Sequence, residues 1–175
     1  MMPITLPFPR GTTQSAPGLE GQTFWDAKYK QHLIICRNTD AAALAAKRVV
    51  KWEDVNVFQV DYATASGDGP LVAGIVDPLL ASATVATVAV NKDFYVVAGV
   101  CTVSLGTSAI VAAAKTVLVV SADTDKGKAD AFALAGAGTP SLQLSHFRNK
   151  FGVVLASANF NADVEAFVSP MMKWW

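Results

Sequence analysis

Short apolar runs separated by polar, turn-forming clusters dominate the chain from residue 49 onward. Leu71–Val76 is closed by Asp77-Pro78, Phe94–Val100 continues into Cys101–Leu105, and Val117–Val120, Phe151–Ala156 and Val164–Val168 follow. Val49–Val60, Thr84–Val90 and Ala129–Leu134 complete the extended runs. Runs rich in Val, Ile, Phe and Thr, bounded by Gly, Pro, Asn and Asp, read as β-strands. The punctuation sits at Gly67-Asp68-Gly69-Pro70, Asn91-Lys92-Asp93, Asp123 to Lys128 and Gly136 to Pro140. Strands do not alternate with helices at βαβ length, which argues against a doubly wound parallel sheet. The expected fold is mainly β, an antiparallel β-sandwich or small barrel of six to nine short strands.

Two segments read instead as short helices. Trp25, Tyr29, Leu33 and Cys36 recur at spacings of four, four and three, which suits one helical face and predicts a helix over Phe24–Gln31. Leu33-Ile34-Ile35 reads equally well as a strand core. Asp40 precedes an alanine-rich stretch that ends in Lys47-Arg48, so an N-cap, the best helix former and a basic end predict a second helix over Asp40–Lys47. Residues 1–22 hold Pro3, Pro7, Pro9 and Pro17, which rule out a helix or a central strand there. They read as an extended N-terminal arm, and residues 23–175 as one β-rich domain. Leu6, Phe8 and Leu19 give the arm apolar anchors, and Arg10 is its one charge before Glu20.

Composition then narrows the function. Lys and Arg number 14, Asp and Glu 14, so net charge is zero, against the basic patch of a nucleic-acid binder. Charged residues are 16% of the chain, below the usual ~25%. Ala and Val together fill 51 positions. So apolar a chain is not intrinsically disordered, and its sparse polar surface points to cover by other chains. Residues 94–114 carry no charge over 21 positions, the length of a membrane span, but Gly99, Thr102, Ser104, Gly106, Thr107 and Ser108 interrupt them, and strands with a turn explain them better. The first ten residues lack the basic and apolar regions of a secretory signal. Cys36 and Cys101 form no C-x-x-C pair and read as buried thiols, with a disulfide left open.

Candidate chemistry is sparse. His32 and His146 lack metal-ligand spacing, and the chain has no G-x-S-x-G elbow and no phosphate-binding glycine loop. Asp123-x-Asp125-x-Gly127 resembles a calcium loop, but Lys128 and Leu134 stand where a Gly and a bidentate Glu are needed, so a solvated turn is the reading. Glu53-Asp54 are neighbours on a strand and point to opposite faces. The chain is expected to be no enzyme and to hold no metal, cofactor or small-molecule substrate. Trp174 and Trp175 end the sequence, and tryptophan is favoured at interfaces.

Gly99-Val100-Cys101-Thr102-Val103-Ser104-Leu105, then Ala109 to Val120, then Gly127-Lys128-Ala129, Phe151 to Ala158 and Val164 to Val168 resemble the strand and turn pattern of tailed-phage capsid cement (decoration) proteins. The likeness spans roughly residues 70 to 170 and leaves residues 1–48 unmatched. Ala114-Lys115 stands where that family carries a turn glycine. The resemblance implies a non-enzymatic β-rich protein, often a homotrimer, seated on the outer capsid surface of a virion and stapling subunits of the major capsid protein. Leu6, Phe8, Arg10, Leu19, Trp174 and Trp175 are then the expected contacts with the capsid or a neighbouring copy. On this reading the arm binds the capsid, and removal of residues 2–20 leaves a folded domain whose capsid occupancy falls at least about tenfold. The alternative is a receptor- or glycan-binding module, which needs exposed loop aromatics; only Tyr62 and Phe160 read as such, while Trp52, Phe58, Phe94, Tyr95 and Phe132 fall in strand patterns.

Overall fold

A computed structural model describes residues 5–15, 17–64, 66–82, 87–106, 116–121, 126–131, 150–156 and 162–169. Its strands are β1 (Thr23–Asp26), β2 (Gln31–Asn38), β3 (Leu44–Ala45), β4 (Val49–Asp54), β5 (Gln59–Tyr62), β6 (Val72–Val76), β7 (Thr87–Val88), β8 (Asp93–Ser104), β9 (Val117–Val120), β10 (Ala129–Ala131), β11 (Lys150–Val154) and β12 (Asp163–Val168). Five of them close a ring in the order β2–β5–β4–β6–β8 and back to β2. The ring is a small barrel. All its pairings are antiparallel except β2 with β5, which run parallel through Arg37↔Gln59 and Asn38↔Val60.

The longest strand, β8, joins the barrel to a second sheet. Its first half pairs with β2 from Asp93 to Gly99, and its second half pairs with β12 from Gly99 to Ser104. The sheet continues β12–β11–β9–β10. Gly99 is the pivot between the halves, with φ +100 and no room for a side chain: a Cβ there would meet the Lys30 carbonyl oxygen at 2.7 Å.

Alternation sorts the apolar residues into two cores. Ile34, Cys36, Val50, Trp52, Val60, Tyr62, Ala73, Val76, Phe94 and Val96, drawn from all five ring strands, fill the barrel. Leu33, Ile35, Val49, Ile75, Tyr95 and Val97 point the other way and pack with Leu118, Phe151, Val154, Val164 and Val168 of the second sheet. The ring wall is therefore buried on both faces along β2, β6 and the first half of β8, while β4 and β5 keep Lys51, Glu53, Gln59 and Asp61 half-buried or exposed. β6 and residues 93–99 of β8 hold no exposed residue, which is why they read as continuous apolar runs. β12, with one wet face, alternates strictly.

The two predicted helices are absent. Phe24–Gln31 is a hairpin instead: Trp25 pairs with His32, and the Asp26 carboxylate accepts the Lys28 and Tyr29 amides at 3.0 and 3.4 Å, closing the turn. Burial on both faces of β2 overrides the helical spacing, because Leu33 and Ile35 enter one core and Ile34 and Cys36 the other. In Asp40–Lys47, Asp40 caps no helix; its carboxylate accepts the Ala42 and Tyr62 amides at 2.9 and 3.2 Å. A two-turn alanine helix is marginal in water, and Leu44 goes into the barrel core as part of β3, paired with Val88 of β7. The helical elements described are two 3-10 turns, Ser66–Leu71 and Pro78–Ser82. Tyr62, read as a loop aromatic, is a buried β5 residue whose hydroxyl donates to the Ala43 carbonyl at 3.1 Å. Residues 93–104 are one strand, and no described helix is long and apolar enough to cross a membrane.

The N-terminal arm packs on its own barrel. Phe8 is 2% exposed and stacks on Tyr95 with centroids 4.5 Å apart, while the Tyr95 hydroxyl donates to the Phe8 carbonyl at 2.9 Å. Gln14 and Asp93 exchange backbone hydrogen bonds, and the Gly21 amide donates to the Ile35 carbonyl. Half-buried Leu6 and Leu19 rest against the same core. The arm thus supplies the missing cover over the outer face of β2 and β8. Phe8→Ala is expected to lower the unfolding free energy in urea by about 3–5 kcal/mol. Deletion of residues 2–20 is expected to abolish cooperative unfolding, in contrast to the folded remnant expected from sequence; a truncated chain with an unchanged urea midpoint would contradict this placement of the arm.

Candidate functional site

Arg10 fixes the arm electrostatically. Its Nη2 and Nε bond the two Asp77 carboxylate oxygens at 2.7 and 3.2 Å, and its Nη1 bonds Asp26 at 2.9 Å. Asp77, at 1% side-chain exposure, also accepts the Gly11 and Leu79 amides at 3.2 and 3.1 Å. Burial lowers the Arg10 pKa, but the hydrogen bonds and charges of Asp77 and Asp26 more than offset it and raise it overall. A bidentate guanidinium–carboxylate pair is the geometry that makes a buried ion pair tolerable. A second clamp joins Arg37 to Glu20 in the arm and, at 2.9 Å, to the fully buried Asp93.

These placements bear directly on the contact residues expected from sequence. Phe8 and Arg10 are engaged within their own chain: Arg10 finds its carboxylates at Asp77 and Asp26 and needs none from a partner. Leu6 and Leu19 keep partial exposure. Trp174, Trp175, Phe132, Phe160, His146, Asp123, Asp125 and the run Ala109 to Lys115 lie outside the described residues. Sequence reasoning missed Trp25 and Tyr29, which are 42% and 36% exposed on the β1–β2 hairpin. The helical reading hid them, and the turn-forming Asp26 was the available signal.

Beside Arg10 lies a cleft of about 290 Å³, lined by Tyr29, Gln31, Val100, Thr102 and Glu165 among others. From Val100 an apolar row crosses the outer face of the second sheet through the register Val100↔Phe167↔Val153↔Val117. Phe167, Val153 and nearby Leu155 are 48%, 38% and 45% exposed. No group of three or more potential metal ligands occurs among the described residues. Cys36 and Cys101 are free, buried thiols. Burial pushes Cys101 up to about 12, and raises Cys36 well above its ordinary value with help from Asp93.

No family model and no curated protein matches the chain. Among solved structures, it is similar to a chain of the capsid of Myoviridae phage XM1, 15% identical, with a TM-score of 0.55 over 87% of this chain and 91% of that one. It is also similar, with a TM-score of 0.46 and 13% identity over 80% of this chain and 95% of that one, to the N base of head fiber gp8.5 in bacteriophage phi29. At such identity the XM1 likeness is one of fold. The mainly β architecture implied by the cement-protein resemblance is thus an architecture found in a phage capsid.

Two substitutions test the electrostatics. Arg10→Ala leaves Asp77 buried without its counter-charge and is expected to cost about 3–5 kcal/mol of stability by urea unfolding; a cost indistinguishable from zero would show the clamp to be immaterial.

Asp61 behaves oppositely. Its carboxyl is pushed up to about 6 by burial, opposed by Lys51 and reinforced by Glu53 and Asp40. Between the ordinary 3.8 and about 6 the folded chain holds a proton that the unfolded chain has released, so stability falls as pH rises through that window. Asp61→Asn is expected to remove this slope from urea midpoints compared across the same range; an identical slope in both proteins would contradict the assignment.

Proposed function

We propose that the chain is a non-enzymatic virion protein that seats on the outer surface of a phage capsid and cements neighbouring copies of the major capsid protein. The observation that carries this reading is the barrel-plus-sheet fold shared with a chain of the XM1 capsid over nearly the whole of both chains. The strand and turn pattern quoted from residues 99 to 168 supports it from an independent direction. So does the surface: an exposed apolar row on a chain of zero net charge suits attachment by burial, with little charge repulsion between copies. We further propose a homotrimer, in which three weak attachments act together. Nucleic acid, membrane and small-molecule substrates have no part in this role.

A receptor- or glycan-binding module is the second reading, and the exposed Trp25 and Tyr29 favour it. The two readings separate in one experiment. The purified chain is mixed with undecorated capsids of the phage that encodes it and pelleted, and its native mass is recorded in parallel. Saturable co-sedimentation, a higher capsid melting temperature and a trimeric mass are expected. A monomer that stays in the supernatant would contradict the proposal.

A further inference from the structure

We propose that the outer edge of β1 takes up an extended acidic segment of another protein as an added strand. β1 ends the ten-stranded sheet and is paired on one side alone, with β2. β10, at the sheet's other end, is not open in this way, because Ala129 also bridges to Leu105 and its carbonyl accepts the Gly106 amide. Register decides which groups of β1 are left over. The Gly21 amide donates to the Ile35 carbonyl and the Ile35 amide to the Gln22 carbonyl, so alternation makes Phe24↔Leu33 and Asp26↔Gln31 the bonded pairs that follow. Thr23 and Trp25 occupy the intervening positions. Their N–H and C=O groups point away from β2, and no described residue bonds them. The Trp25 and His32 rings, 4.5 Å apart, fit the closer side chains of such a position. Thr23 and Trp25 are both exposed.

Strand edges are commonly guarded by proline or by charge. β1 has no proline, and its one charge is engaged: Asp26 bonds Arg10 Nη1 at 2.9 Å and accepts the Lys28 and Tyr29 amides. Beyond Asp26 the hairpin turn carries Lys28 and Lys30, both exposed, and neither pairs with a carboxylate among the described residues. Lys28 rests on the Tyr29 ring, 4.8 Å from its centroid. With Asp26 already answered by Arg10, this end of the hairpin has an excess of cation on a chain of zero net charge. Charge complementarity therefore selects an acidic partner. The outward backbone groups select a polypeptide, because a strand supplies donors and acceptors in turn. The phosphates of a nucleic acid only accept, and would leave the Thr23 and Trp25 carbonyls unmatched. In an antiparallel addition, the partner residue opposite Trp25 exchanges both bonds with it, and the residue two further on does the same with Thr23. Residues two and three before it reach the turn beside Lys28. A side chain opposite Trp25 lies beside its indole, which is 42% exposed, and an apolar residue there buries it. The matching segment reads acidic, acidic, any residue, apolar, any residue, apolar. This chemistry is read from the edge itself and is independent of the capsid-attachment reading.

The test titrates the capped peptide acetyl-Glu-Glu-Thr-Val-Thr-Val-amide into the isotope-labelled full chain and follows amide resonances. Shifts are expected at Thr23, Trp25, Lys28 and Lys30. Methylating the nitrogen of the first valine removes the donor to the Trp25 carbonyl, and replacing both glutamates by lysine reverses the charge. Each change is expected to weaken binding at least about tenfold. The double variant Lys28→Glu with Lys30→Glu is expected to reverse the preference and to bind the lysine peptide more tightly than the glutamate peptide. Undiminished binding of either altered peptide, a double variant that keeps the original preference, or the absence of any shift up to millimolar peptide would overturn the proposal. So would shifts at Thr23 and Trp25 on dilution of the chain alone, which mean that a second copy holds the edge. Shifts produced there by a thymidine oligonucleotide or by methyl glucoside, and not by the peptide, overturn it as well.

Discussion

A five-stranded barrel whose wall is apolar on both faces along β2, β6 and the first half of β8 cannot stand in water by itself. Leu33, Ile35, Tyr95 and Val97 face outward from β2 and β8, and each needs cover as much as the residues inside. The second sheet and the N-terminal arm share that task. Phe8 is the arm's anchor, flat against Tyr95, and Arg10 locks the backbone beside it through Asp77 and Asp26. Four hydrogen bonds to the two Asp77 oxygens offset the cost of burying this ion pair. Gly11 permits the turn with φ +75, where a Cβ would press on the Leu79 carbonyl at 2.9 Å. The arm is therefore part of the fold.

That constraint also shapes the surface left over. β8 outlasts the barrel and carries its second half into the outer sheet, so Val100 and Thr102 stand where barrel, arm and sheet meet. The cleft is the seam between them. Its buried face is set by the arm's ion pair and its open face by β12.

Much of this architecture is legible in the chain. The runs at 71–76, 94–105, 117–120, 151–156 and 164–168 became strands because β-branched residues fit a pleated, buried surface and polar clusters bound them. Residues 24–31 and 40–47 were misread for definable reasons, while Leu33-Ile34-Ile35 is the strand core that the sequence also offered. The β1–β2 turn uses Asp26 and a left-handed Lys30, φ 54, where a glycine would have announced it. The Asp40–Lys47 stretch has helix-forming residues but no helical apolar stripe to anchor, and Leu44 is claimed by the barrel. The arm was recognisable as extended and as needing a burial partner; that the partner is its own barrel depends on Tyr95 and Asp77, roughly seventy to ninety residues away.

Native-state hydrogen exchange tests the central claim most directly. If the arm completes the barrel, the amides it ties down, Gly11 on Asp77, Asp93 on Gln14 and Gly21 on Ile35, open only when the barrel does. Their exchange free energies should equal those of Leu33, Ile35 and Val97. Rapid exchange at Gly11, Asp93 and Gly21 alongside a protected β2 and β8 would contradict the account and return the arm to the status of a detachable leader.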